Sequence, residues 1–174
     1  MNSNREKIKN MTYIALFVAI ISVVSQISIP TPTSVPITLQ IFVVAFAGFF
    51  LGIKRGIIGI LLYISLGMVG APVFAGFRGG FSTLLGPSGG FIWGFIVVVL
   101  FCSLLPERKI SITLGILSVL ICHAFGTVQY MLVAKTTFLV SFLAVSLPFI
   151  IKDIVLIPFA YLLSQKMKKI VKKK

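Results

Sequence analysis

Apolar residues run along this chain in six blocks, near 11–29, 38–53, 56–70, 90–105, 110–133 and 145–165, divided by short polar or glycine-rich breaks. A helix needs about 20 predominantly apolar residues to cross roughly 30 Å of hydrocarbon. The pattern therefore predicts an all-α integral membrane protein with six transmembrane helices. The second, third and fourth blocks are short for full spans, which implies tilting, kinks at Gly48, Gly52, Gly59 or Gly67, or a thin surrounding bilayer. Lys54-Arg55-Gly56 keeps the second and third blocks from merging into one span.

The cations orient these spans. Cytoplasmic loops carry an excess of Lys and Arg. With Arg5, Lys7 and Lys9 inside, six spans bring Lys54-Arg55, Arg108-Lys109 and the tail KMKKIVKKK to the same side, leaving only Arg78, Lys135 and Lys152 elsewhere. Both termini are thus expected in the cytoplasm. The chain reads as one membrane domain over 1–174, with basic cytoplasmic tails at 1–10 and 166–174, the latter suited to anionic lipid headgroups. The expected location is a cell membrane, crossed several times, and specifically a bacterial plasma membrane.

Composition agrees. Of 174 residues 58% are hydrophobic and 11% charged, and the mean hydropathy is +1.12. Nothing near the N-terminus resembles a cleavable signal, so the first block is expected to remain as a span. The net charge of +13 lies in clusters flanking apolar runs, without a basic groove interleaved with aromatics, so no nucleic-acid partner is expected. Cys102 and Cys122 lack paired spacing or a metal-site pattern and read as packing residues; no metal is expected.

Two segments on the expected outer side are irregular. SIPTPTSVPITLQ, Ser28 to Gln40, carries Pro30, Pro32 and Pro36, which break helix and favour an extended path. GAPVFAGFRGGFSTLLGPSGG, Gly70 to Gly90, holds seven glycines. Backbone outside helices is tolerated at membrane depth only where it lines a cavity or is buried by protein, and glycine lets a backbone approach its neighbour closely.

An ionisable group at membrane depth is by default a site hypothesis. Asp153, in LPFIIKDIVLIPF, is the only acidic residue away from the basic clusters that hold Glu6 and Glu107. On a helix entering near Leu147 it lies roughly 9 Å below the outer end. It reads either as a ligand-binding carboxylate or as an interhelical lock. Adjacent helical residues point about 100° apart, so Lys152 reads as a poor partner that snorkels outward. Arg78 is either a solvated loop residue or a fork of donors for a ligand carboxylate. Gln40, Tyr63, Gln129 and Tyr130 are further inward-pointing candidates, and Gln26 is expected to hydrogen-bond between helices.

A rival chemistry is an intramembrane serine hydrolase. Gly86-Pro87-Ser88-Gly89 is a G-x-S-G of the sort seen in rhomboid proteases, and the chain has one histidine, His123. In the expected topology Ser88 lies at the outer face and His123 roughly 15 Å below it, so the two are not expected to meet. No glycine-rich loop ending in Gly-Lys-Ser/Thr, no H-E-x-x-H and no carboxylate pair is present, so the chain is not expected to be an enzyme or to hydrolyse ATP itself.

The stretches SVPITLQ, LLYISLGMVGAPVFAG and GGFSTLLGPSGGFIWGF resemble the BioY family, the biotin-specific substrate-binding (S) components of energy-coupling-factor (ECF) vitamin transporters. The long G-x-P-V-F-A-G…G-P-[ST]-G-G-[YF] pattern stands here as Gly70–Gly76 and Gly86–Phe91. The resemblance implies a six-helix bundle that captures biotin from outside, without a cofactor of its own. Its partners would be a membrane-embedded coupling subunit and two ATP-binding-cassette ATPases, which use the ATP. The family's A-x-x-x-A docking motif corresponds to Ala15 and Ala19, for which intramolecular packing is the alternative. Its urea-binding acidic residue corresponds to Asp153 after Pro148-Phe149; the lysine expected three residues later is Leu156, which leaves the urea carbonyl to another donor such as Gln129. Phe74, Phe77, Phe91, Trp93 and Tyr63 would wall the pocket, Gln40, Ser88 and Gly89 would belong to it, and Arg78 would meet the valerate carboxylate. The same scaffold reading riboflavin or thiamin is the nearest alternative.

Overall fold

The computed structural model describes residues 2–104 and 108–172. Glu107 and the last two lysines of the basic tail, Lys173 and Lys174, lie outside the described residues. The described chain is mostly helical. α1 (Asn2–Gln26) leads through a two-stranded antiparallel hairpin, β1 (Ser28–Ile29) and β2 (Ile37–Thr38), into α2 (Gln40–Leu51) and α3 (Ile53–Met68). The glycine-rich segment holds the short α4 (Phe81–Leu85) and precedes α5 (Gly89–Ser103). α6 (Arg108–Ala134), α7 (Phe138–Val145) and α8 (Leu147–Lys172) complete the order.

Each expected apolar block contains one of the longer helices, with ends shifted by a few residues. Among the described residues three helices are long and apolar enough to cross a membrane: Asn4–Gln26, Lys109–Ala134 and Leu147–Val171. α2, α3 and α5 are shorter, at 12, 16 and 15 residues or about 18, 24 and 22 Å. Gly52, at φ 74°, sits between α2 and α3 in a left-handed conformation that ends one helix before Lys54-Arg55 opens the next. The segments expected as basic tails are helical as far as they are described: 2–10 extends α1 and 166–172 extends α8.

The prolines of Ser28–Gln40 do produce an extended path, and its ends close on each other, pairing Ser28 with Thr38 and Ile29 with Ile37. α4 and α7 are absent from the hydropathy pattern, the first lying inside the segment expected to be irregular. α7 starts at a side-chain cap: Thr137 accepts from the Val140 backbone amide.

Packing centres on α5, which lies against α2, α3 and α6. The contact with α6 is close because glycine faces helix backbone. A Cβ at Gly94 would lie 2.7 Å from Cys122 Sγ and 2.9 Å from its Cα, and one at Gly90 would overlap the Phe125 carbonyl. Gly94→Val is therefore expected to lower the thermal unfolding midpoint in detergent, since overpacking a core costs about 1–3 kcal/mol. Leu117→Val, at an exposed position of α6, is the control and is expected to leave the midpoint unchanged.

Candidate functional site

A cavity of about 580 Å³, its open mouth included, lies where the hairpin, the glycine-rich loop and the starts of α2, α5 and α8 converge. That size suits a small organic ligand. Its apolar walls come from Val35, Pro36, Ile37, Ile41, Phe74, Phe91, Ile92, Phe95 and Phe149, and its polar groups from Thr38, Gln40, Arg78, Ser88, His123, Lys152 and Asp153. Two of the rings are seated on glycines. Phe74 occupies the space a side chain at Gly67 would need, and Phe91 the space of one at Gly126. Phe74 also meets Tyr63 edge-on at 5.5 Å, and Phe91 meets His123 edge-on at 5.4 Å, both favoured aromatic geometries.

Asp153 is 3% exposed, and an unpaired buried charge is costly. It has two partners. His123 Nε2 donates to Oδ2 across 3.2 Å, and Lys152 Nζ donates to Oδ1. Lys152 Nζ also donates to the Thr38 carbonyl at 2.7 Å, which ties β2 to α8. The expectation that Lys152 snorkels outward and pairs poorly with Asp153 is corrected here. Adjacent Cβ atoms do diverge, but four methylenes carry the ammonium around to the buried carboxylate and to the Thr38 carbonyl.

Arg78 bridges the two loops. Its Nε donates to the Ala75 carbonyl at 3.0 Å, and Nη1 and Nη2 donate to the Ser34 carbonyl at 3.3 and 3.4 Å. The turn between Phe74 and Arg78 is closed by Phe74 N–H donating to the Arg78 carbonyl at 2.9 Å, with Gly76 and Phe77 both left-handed. Phe77 holds φ 56° because Gln26 Oε1 accepts its N–H at 2.7 Å. Gln26, expected to bond between helices, instead joins α1 to the glycine-rich loop, and Ser25 Oγ adds a bond from α1 to the Val73 carbonyl.

The structure brings Asp153, Arg78, Gln40, Phe74, Ser88 and Phe91 onto one cavity. It places the other expected residues behind or away from it. Tyr63 is fully buried, accepting from Gln40 Nε2 at 2.9 Å and donating to the Val73 carbonyl, so it holds Gln40 and the loop in place. Gln129 Nε2 donates to the carbonyls of Leu84 and Gly86, both at 2.8 Å; it clamps the glycine-rich loop and has no part in the lining. Gly89 packs on the Leu84 carbonyl and the Gln129 amide. Phe77, 72% exposed, and Trp93, 37% exposed, face outward and do not wall the cavity. No glycine lines it among the described residues, so the glycines admit protein against protein.

His123 and Lys152 are the residues that sequence reasoning missed as cavity groups. A lone histidine within a long apolar helix carried the same signal as Asp153, and it was weighed only as a hydrolase base. The structure lines one cavity with both Ser88 and His123. No hydrogen bond joins them among the described residues, and the His123 Nε2 is given to Asp153.

A helical bundle whose apolar, loop-capped cavity carries a buried Asp153 cluster and a loop guanidinium defines a small-molecule binding site set among membrane-type helices. Comparison with known proteins refines the class. The BioY family model matches residues 1–173, and the chain belongs to the BioY family. The probable biotin transporter BioY of Pyrococcus horikoshii is 39% identical over 92% of this chain and 97% of its own length. The biotin transporter BioY of Thermotoga maritima is 35% identical over 89% of this chain and 93% of its own. A crystal structure of the S-component for biotin from an ECF-type ABC transporter superposes with a TM-score of 0.87 at 26% identity, covering 95% of this chain and 94% of that one. Named relatives are transporters, and the hydrolase reading of Ser88 and His123 falls with that assignment.

The clamp on the glycine-rich loop is testable by itself. Gln129→Leu removes the side-chain donor from the Leu84 carbonyl and leaves the Gly86 carbonyl with the Gly89 amide alone, and a buried carbonyl left unpaired costs about 1–3 kcal/mol. Hydrogen exchange followed by mass spectrometry is expected to speed up across Leu84–Gly90 by tenfold or more, with exchange in α1 unchanged.

Proposed function

We propose that this chain captures biotin from outside the cell as the membrane-embedded S component of an ECF transporter. The observation that carries the reading is one cavity holding both a buried carboxylate at its foot and a guanidinium on its loop. Biotin has complementary ends. Its ureido N–H groups are donors for Asp153, and the ureido carbonyl is an acceptor for the ammonium of Lys152, which stands beside Asp153 where Leu156 offers no donor. Its valerate carboxylate is an acceptor for Arg78, whose fork is held between the two loops. The apolar rings between these ends suit the bicyclic body and the alkyl chain. Relatives named for biotin support this ligand over riboflavin or thiamin.

In this reading the chain is one membrane domain, 1–174, in a cell membrane. Six helices, α1, α2, α3, α5, α6 and α8, span it with the basic ends 1–10 and 166–174 in the cytoplasm. The hairpin, glycine-rich loop, α4 and α7 then share the outer side, where the cavity opens. Energy comes from partners: a membrane-embedded coupling subunit and two ABC-type ATPases that consume ATP. Ala15 and Ala19 are the docking residues on α1. Both are exposed, so internal packing does not account for them, and small residues four apart admit a partner helix closely.

Binding of biotin to the detergent-purified chain tests the ligand. Asp153→Asn is expected to weaken affinity by about 10- to 100-fold, the equivalent of about 1.5–3 kcal/mol for hydrogen bonds to a charged group. Arg78→Ala is expected to lose about tenfold for biotin and nothing for biotinamide, whose chain end carries no charge. Equal losses for both ligands would remove Arg78 from the carboxylate. No saturable binding by the folded wild-type chain would sink the assignment.

Docking is tested separately. With Ala15 and Ala19 both changed to Leu, biotin binding is expected to stay unchanged. Uptake by cells that hold the coupling subunit and ATPases is expected to fall to background.

A further inference from the structure

His123 is one of the most completely buried side chains, at 2% exposure, and it borders the cavity. Its place is fixed from three sides. The Phe91 ring stands edge-on to the imidazole, and that ring is itself seated on Gly126, one turn along α6. Ser146 Oγ, at the start of α8, donates to the His123 carbonyl at 3.3 Å and shares a 2.6 Å hydrogen bond with Thr127. Side chain and main chain of His123 are therefore both bonded to α8 or the residue that precedes it.

The two partners of Asp153 differ in kind. A carboxylate only accepts, so the hydrogen in the His123–Asp153 contact sits on Nε2, and the partner is fixed by α6. Lys152 is 31% exposed in its side chain, stands at the cavity, and has Thr38 as an alternative acceptor. One oxygen of Asp153 is thus held by a rigid, buried donor, and the other by a flexible donor that an incoming ligand can displace.

We propose that His123 is the positioning residue of the binding carboxylate: through Nε2–H on Oδ2 it fixes the plane of Asp153 so that Oδ1 is presented to the ligand's N–H groups. This deepens the reading of Asp153 as the ureido-binding group and rests on it. In this role His123 acts through Asp153, to which its Nε2 hydrogen is committed. The neighbours of the imidazole are Asp153 from α8 and the Phe91 ring from α5; Nδ1 has no partner among the described residues.

The chain has a single aspartate, so labelling aspartate with ¹³C at the side-chain carboxyl reports Asp153 alone. In the ligand-free protein, His123→Leu is expected to shift the infrared carboxylate stretch, and His123→Gln, whose amide N–H stands where Nε2 does, is expected to restore it. Binding of biotin follows the same order: tenfold or more weaker for His123→Leu, within threefold of wild type for His123→Gln, and weak for His123→Asn, whose amide stops at the Nδ1 position. In an Asp153→Asn background His123→Leu is expected to change affinity by less than twofold, because the group it positions is gone. Melting midpoints identify any variant that has lost its fold, and the Gln and Asn pair decides the matter if Leu does. An unshifted carboxylate band in His123→Leu, or a Gln variant as weak as Leu at an unchanged melting midpoint, overturns the proposal. The expected band shifts among the His123 variants together with no biotin binding by the wild-type protein overturn the ligand assignment and leave the His123–Asp153 hydrogen bond standing.

Discussion

The burial of one carboxylate organises this molecule. Asp153 sits at 3% exposure in a chain with a single aspartate, and a charge there persists only if hydrogen bonds replace its water. Three elements answer that demand. α6 supplies His123, α8 bends Lys152 back on its neighbour, and β2 supplies the Thr38 carbonyl that holds the same ammonium. The arrangement explains why an otherwise apolar bundle retains a two-stranded hairpin. Without β2 the lysine has one acceptor, and the cavity loses the wall formed by Val35, Pro36 and Ile37.

The second constraint is space. Walls made of phenylalanine need something small behind them, and here glycine fills that role twice, Gly67 under Phe74 and Gly126 under Phe91. The glycine-rich segment is thus dense rather than loose. Its backbone groups are taken up one by one: the Gly67 carbonyl accepts from Gly70 and Gly80, Leu84 and Gly86 carbonyls accept from Gln129, and Val73 accepts from both Ser25 and Tyr63. Irregular backbone among membrane-type helices survives on that condition.

The long helices were legible because hydropathy alone specifies them, and Asp153, Arg78, Gln40, Phe74, Ser88 and Phe91 were legible because their chemistry is out of place in an apolar chain or recurs in the family pattern. β1, β2, α4 and α7 were not, since elements of two to eight residues are decided by tertiary contacts such as the Lys152–Thr38 bond and the Gln129 clamp. Phe77 and Trp93 were misplaced for a related reason: an aromatic beside a pocket residue in sequence turns outward when the turn at Gly76 or the α5 helix rotates it away. Lys152 was misread because the divergence of adjacent helical positions applies to Cβ directions and says little about the end of a long flexible side chain. Tyr63 and Gln129 were recognised as inward-facing, but only coordinates separate a residue that lines a cavity from one that braces its wall.

One helix joins the loop to the rest of the proposed machinery. At its end α1 holds the glycine-rich loop through Ser25 on the Val73 carbonyl and Gln26 on the Phe77 amide, beside Phe74 and Arg78 of the cavity. Ala15 and Ala19, on the proposed docking face, lie on the same helix about 10–16 Å away along its axis. A continuous helix transmits a change of tilt along its length with little loss, whereas a flexible linker would absorb it. On the proposed docking role of Ala15 and Ala19, a ligand that altered how the Phe74–Arg78 turn sits against Ser25 and Gln26 would act on the same helix that carries them, and α1 would be the element linking occupancy to docking.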